Sequence, residues 1–116
     1  AVGATDQDDL VADFSSRGPV RWKNLVIQKP NLVAPGKGVL SADRDRGYRT
    51  RSGTSMAAPH VTGALALLKQ ASPELTLQEQ EDLIKQATFD IGRTGVDDSS
   101  GSGRLDLMKG LSLIEE

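Results

Sequence analysis

Cysteine is absent from this 116-residue chain, so neither a disulfide nor a thiolate metal site is open to it. That absence does not fix the redox compartment. Aromatic side chains are nearly absent too: Trp22, Tyr48, Phe14 and Phe89 are all there is. Aromatics bring much buried area per residue, so the core must rely on Leu, Val, Ile and Ala. Neither charge sign dominates. Fourteen Lys and Arg stand against 16 Asp and Glu, and a net charge of −2 argues against a nucleic acid or an acidic membrane as partner. No apolar run approaches the roughly 18 residues that span a bilayer, and no signal segment is present. Methionine is missing from position 1. The chain opens on the strand-like run Ala1-Val2-Gly3-Ala4 and is expected to be cut from something longer.

What remains is enough for one domain with a modest core. Val2 to Thr5 reads as a short buried strand, Asp6 to Asp9 as a polar turn, and Leu10 to Phe14 as a second extended piece. Ser15 to Pro19 is a loop by its turn residues. The segment from Val20 to Lys29 carries Trp22, Leu25, Val26 and Ile27 without a clear period. Pro30 and Pro35 bracket Asn31 to Ala34, so that strand must be short. Val39–Ala42 and Tyr48–Arg51 form two arms joined by a polar tip, and the basic cluster from Arg44 to Arg51, interrupted by Asp45, reads as a solvated hairpin end.

A helix follows, apolar nearly all round from Ala57 to Leu68, as expected for a protein interior. Pro59 is expected near its first turn, where a missing N–H matters least. Thr76 and Glu79 form a capping box for a second helix with Leu83, Ile84 and Ala87 on its apolar stripe. Asp97 to Gly103 is expected to be a flexible loop. A last helix starts near Asp106, with Leu107, Leu111 and Ile114 on one face.

Ser55 is the residue with chemistry. It stands where the first helix begins, beside unpaired backbone N–H groups and the positive end of a helix dipole, which can stabilise an oxyanion. The bland reading of such a serine is a helix cap. A serine hydroxyl also needs a base. The only imidazole is His60, five residues on, which in a helix is about 7–8 Å along the axis and about 140° around it. The two side chains therefore point to different faces, and His60 is not the base. Clusters at Asp6, Asp8 and Asp9 and at Asp97 and Asp98 lack EF-hand spacing and read as turn carboxylates; no metal and no cofactor is assigned.

The stretch Gly53-Thr54-Ser55-Met56-Ala57-Ala58-Pro59-His60-Val61-Thr62-Gly63 closely resembles the nucleophile motif of the subtilisin-like serine peptidases, the subtilases. Ala1 to Ala4, Asp13 to Pro19 and Lys29 to Gly36 resemble the family's preceding blocks in the family's order, and Gly103 to Asp106 its last short strand and turn. Together these five blocks, in register, extend over nearly the whole chain.

The resemblance implies the C-terminal part of a subtilase catalytic domain, residues 1–116 of a three-layer α/β/α fold with a mostly parallel sheet. It implies peptide-bond hydrolysis through an acyl-enzyme on Ser55, with peptide or protein substrates. The family's triad runs Asp, then His, then Ser, so the Asp, the His and an oxyanion Asn would lie on upstream blocks, and this chain alone is expected to be inactive. The upstream half of the domain is then a partner. Gly53 and Thr54 shape the turn, and Met56 lies beside the nucleophile or in the core. Arg51 lines the leaving-group side and would favour acidic substrate residues. Asn31 takes the place of an aspartate near a family cation site, which weakens that carry-over. The alternative is a non-catalytic binding or scaffold module on the same fold. Most relatives act outside the cytoplasm, so an extracellular or cell-envelope location is implied. A sheet cut in the middle would leave an open edge and expose the Ala57–Leu68 helix, inviting self-association.

Overall fold

The computed structural model describes residues 1–115. Strand β1 (Val2–Thr5) pairs in parallel with β4 (Leu32–Pro35), Ala4 opposite Ala34, and β4 pairs in parallel with β8 (Arg104–Leu105). The short β7 (Thr88–Phe89) closes the sheet antiparallel to β8, giving the order β1-β4-β8-β7. Two hairpins stand apart from it: β2 (Val20–Trp22) with β3 (Leu25–Ile27), and β5 (Val39–Ala42) with β6 (Tyr48–Arg51). Helices α1 (Thr54–Ala71), α2 (Leu77–Gln86) and α3 (Leu107–Glu115) touch one another, and α1 lies along β1 and β4. The architecture is α/β with a mostly parallel sheet.

The core follows from the composition. Ala4, Leu32 and Ala34 of the sheet meet Ala57, Val61, Ala64 and Leu68 of α1, with Ile84 of α2 behind them, while all four aromatics lie exposed. Small residues let the layers approach closely. At Gly110 of α3 an added Cβ would lie 2.9 Å from Ala87 Cβ and 3.2 Å from a Leu68 methyl. Leu107, Leu111 and Ile114 pack on the core, and Asp106 caps α3 through its carboxylate to Lys109 N–H. The capping box at Thr76 and Glu79 forms in both directions.

Three expectations are corrected. Leu10 to Phe14 is not a strand: Val11 makes a single bridge to Thr5, and a turn follows at Asp13 and Phe14. Helix α1 has one buried side, with Ala57, Val61, Ala64 and Leu68, and one open side, with Ala58, Thr62, Ala66 and Leu67 facing away from the sheet and no described layer over them. Pro59 is the sixth residue of α1, one turn deeper than expected, so Ser55 C=O has no N–H four residues on to accept from. Asp97 to Gly103 is a built turn. The Asp97 carboxylate accepts the N–H groups of Ser99 and Ser100 at 2.8 and 2.7 Å and the Ser100 hydroxyl at 2.9 Å, and Ser100 is buried.

Burial opposes the charge on Asp97, but the Ser100 and Ser99 bonds outweigh it and hold its pKa below the ordinary 3.8. A depressed carboxylate pKa stabilises the fold above its unfolded-state value, and the stabilisation is lost as pH falls through the folded-state value. Asp97→Asn should therefore cost about 1 kcal/mol at pH 7, solvent screening included, and progressively less as pH falls below the ordinary carboxylate range. Urea unfolding as a function of pH measures the difference.

One close approach ties the sheet to α1. Gly36, directly after β4, donates its N–H to Thr5 O at 3.0 Å and accepts from Gly53 N–H at 2.7 Å. A Cβ on Gly36 would lie 2.5 Å from Ala4 Cβ and 2.8 Å from Gly53 O. Both obstacles belong to the packed backbone and core, so Gly36→Ala should destabilise the chain by about 2 kcal/mol or more by thermal or urea unfolding. An unchanged melting temperature would show that the two segments slide apart freely.

Candidate active site

The geometry around Ser55 is set by the turn before it. Gly53 is the N-cap residue of α1 at φ 152°, ψ 160°, a backbone conformation suited to glycine, and a Cβ there would meet only ordinary contacts, Met56 Sδ at 3.6 Å and Ser55 N at 3.7 Å. The requirement at Gly53 is conformational, whereas at Gly36 it is spatial. Met56 N–H returns to Gly53 O at 3.0 Å and closes the first turn. Ser55, the second helical residue, is exposed, and among the described residues its N–H and hydroxyl have no protein partner. An oxygen bearing negative charge would find a free N–H and the helix dipole here.

A cleft of about 350 Å³ opens in front of Ser55. One wall is the start of α1: Ser55, Met56, Pro59 and His60. The other is one face of the β5–β6 hairpin, where the register sets Val39 opposite Arg51 and Ser41 opposite Arg49. Ser52 fastens the hairpin exit to the start of β5, its hydroxyl oxygen accepting Gly38 N–H at 2.9 Å.

Of the residues singled out in the sequence, Arg51, Ser55 and Met56 meet in this cleft, with Gly53 beneath the turn. Met56 is a wall residue and is not among the core side chains. Thr54 faces a different cavity of about 370 Å³, shared with Arg17 and Val20. Arg51 is not a free cation. Asp43 holds Arg49 at 3.0 Å and Arg51 at 4.0 Å, one carboxylate between two guanidinium groups. Gly36, Ser52 and Arg49 were not singled out. Arg49 follows from Arg51 by the two-residue period of a strand; the roles of Gly36 and Ser52 depend on contacts distant in sequence.

His60 also lines the cleft, but its Nδ1 lies 2.8 Å from Met56 O. A carbonyl only accepts, so Nδ1 carries the hydrogen and donates it there. The ring is tied to its own helix and makes no hydrogen bond to Ser55 among the described residues. The acidic clusters are likewise engaged: Asp6 accepts from Asp8 and Leu10 N–H, and Asp9 pairs with Arg104 at 2.7 Å. Asn31 Oδ1 accepts from Lys29 Nζ at 2.9 Å.

A chain with this fold and this serine has close relatives. Bacillopeptidase F of Bacillus subtilis is 38% identical over 104 residues, covering 89% of this chain and 7% of the relative. The minor extracellular protease Vpr of the same species is 40% identical over 99 residues, covering 80% of this chain and 11% of the relative. The solved structure of the CspB protease of Clostridium perfringens superposes with a TM-score of 0.84 at 35% identity, covering 99% of this chain and 26% of that one. The chain thus spans about a quarter or less of each of these proteins. The family model described as the subtilase family matches residues 1–103, and with the parallel sheet and these relatives in agreement, the chain belongs to the subtilase family.

Proposed function

We propose that residues 1–116 are the C-terminal part of the catalytic domain of a subtilisin-like serine endopeptidase, with Ser55 as its nucleophile. The observation that carries this reading is the exposed Ser55 hydroxyl beside its own unpartnered N–H, at a helix start that opens on a cleft. Ser55 Oγ attacks the scissile carbonyl of a peptide or protein substrate, and the Ser55 N–H donates to the oxyanion that forms. A histidine from the upstream half of the domain takes the proton and returns it to the leaving amine, and an upstream aspartate orients that histidine. No organic cofactor enters these steps. Gly53 sets the turn, and Met56 forms the wall beside the nucleophile. The free hydroxyl at an open cleft argues against a purely structural module on the same fold. An extracellular or cell-envelope site of action belongs to the same reading, supported by a relative named as an extracellular protease.

The 116-residue chain by itself is inactive in this reading. Its one histidine is bonded to Met56 O, so no imidazole among the described residues is free to deprotonate Ser55. In subtilisin itself, loss of the triad serine or histidine lowers turnover by about a million-fold. The uncovered face of α1 and the open sheet edge would favour self-association of the isolated chain. A fluorophosphonate probe should therefore modify the isolated chain only slowly and substoichiometrically. Rapid labelling at Ser55, abolished by Ser55→Ala, would mean that an unrecognised base is at work.

Arg51 extends the proposal to substrate choice. Two guanidinium groups facing one carboxylate leave a positive balance in the cleft, which favours an acidic residue on the leaving-group side. Exposed pairs of this kind are weak, so Arg51→Ala in the full enzyme should lower kcat/KM for acidic P1′ substrates about two- to fivefold relative to neutral ones. Equal losses across a P1′ substrate series would remove Arg51 from specificity.

A further inference from the structure

The β2–β3 hairpin is an apolar, cationic projection that the site around Ser55 does not use. Its register pairs Val20 with Ile27 and Trp22 with Leu25, so four large apolar side chains share one face, with Val26 opposite Arg21 on the other. All five are exposed: Trp22 by 63%, Leu25 by 61% and Val26 by 62%. The hairpin is held at its base, by Gly18 N–H to Lys29 O and by the Gln28 amide to Asp97 O and Pro30 O. A lone two-stranded hairpin is marginal in water, and exposing this much apolar surface needs a reason.

Charge identifies what fits over it. From Phe14 to Ala42 there is no acidic residue, while Arg17, Arg21, Lys23, Lys29 and Lys37 all fall in that span. Arg17, Arg21 and Lys23 are exposed around the apolar side chains. The net charge of −2 for the whole chain conceals this local excess. Apolar groups occupy both faces, so one flat protein surface cannot cover them all, whereas a fluid phase can. We propose that the β2–β3 hairpin docks the protein on an anionic phospholipid surface. Trp22, Leu25 and Val26 enter the boundary between headgroups and acyl chains, and Arg21 and Lys23 reach back to the lipid phosphates. Each strand has one unpaired backbone edge, which limits entry to depths where water still reaches it.

Trp22 is the chain's single tryptophan, so its emission reports directly on the hairpin tip. The test titrates the 116-residue chain with vesicles of phosphatidylcholine and phosphatidylglycerol, and with pure phosphatidylcholine, following Trp22 emission and co-sedimentation. The expected result is a blue shift with partitioning at least tenfold stronger on the anionic vesicles, weakened by salt. At about fivefold per basic residue, Arg21→Gln with Lys23→Gln should lower partitioning roughly 25-fold. Leu25→Gln with Val26→Gln should reduce both the shift and the partitioning several-fold. These side chains are exposed, so circular dichroism and melting temperature should stay unchanged in both variants. The proposal is overturned by no shift, by an equal response to neutral vesicles, or by co-sedimentation with Trp22 emission unchanged. It is also overturned if poly-glutamate gives the shift and anionic vesicles do not, which would indicate an acidic polypeptide partner. A shift that grows with protein concentration in the absence of lipid would indicate a second copy and overturn it equally.

Discussion

The bond from Gly53 N–H to Gly36 O holds the site together. Gly36 is fixed from the other side, because its N–H bonds Thr5 O at the end of β1. The sheet end, the turn after β4 and the mouth of α1 thereby become one unit. Neither glycine tolerates a side chain, but for different reasons: Gly36 lacks space for a Cβ, and Gly53 needs its backbone angles. Once these two are placed, Ser55 follows as the second residue of a helix whose inner face is pinned to Ala4 by Ala57. Ser55 is positioned by core packing, and its own side chain is left free.

That separation explains how much could be read in advance. Helices α2 and α3 and the strand between Pro30 and Pro35 were legible because caps, periodicity and proline act within a few residues. The place of Ser55 at an exposed helix start was legible because the helix mouth and the serine are adjacent in sequence. The turn at Asp97 was not, since acidic and small polar residues look the same in a flexible loop and in one built around a carboxylate. Contacts distant in sequence distinguish the two, such as Ser100 against Ile91 O and Gly101 and Ser102 against the Asn31 backbone. The open side of α1 has a related reason. An apolar composition says that a helix side can be covered, and says nothing of whether the covering layer lies in the same stretch of chain.

The helix mouth and the base contribute different things. A free N–H and a helix dipole stabilise charge that has already formed on an oxygen. They do not remove the proton from a hydroxyl whose pKa lies far above neutrality. His60 shows how little proximity means without orientation, for it borders the same cleft as Ser55 yet donates to Met56 O, a bond set by the four-residue repeat of the helix. In the proposed reading, activation comes from another segment of polypeptide.

Two uncovered apolar surfaces remain, and their chemistry separates them. On α1 the outward residues are small and uncharged, Ala58, Thr62, Gly63 and Ala66 with Leu67, and a close-packed helix or sheet fits such a surface because backbones can approach. On the β2–β3 hairpin the side chains are large, lie on both faces and stand among guanidinium and ammonium groups. A rigid neighbour that filled the first face would leave charges stranded if it were laid over the second, and unpaired charge out of water is far costlier than exposed hydrocarbon. A surface that supplies hydrocarbon and phosphate at the same depth satisfies both kinds of group at once. The same chain thus presents one face shaped for protein packing and one suited to an interface between oil and water.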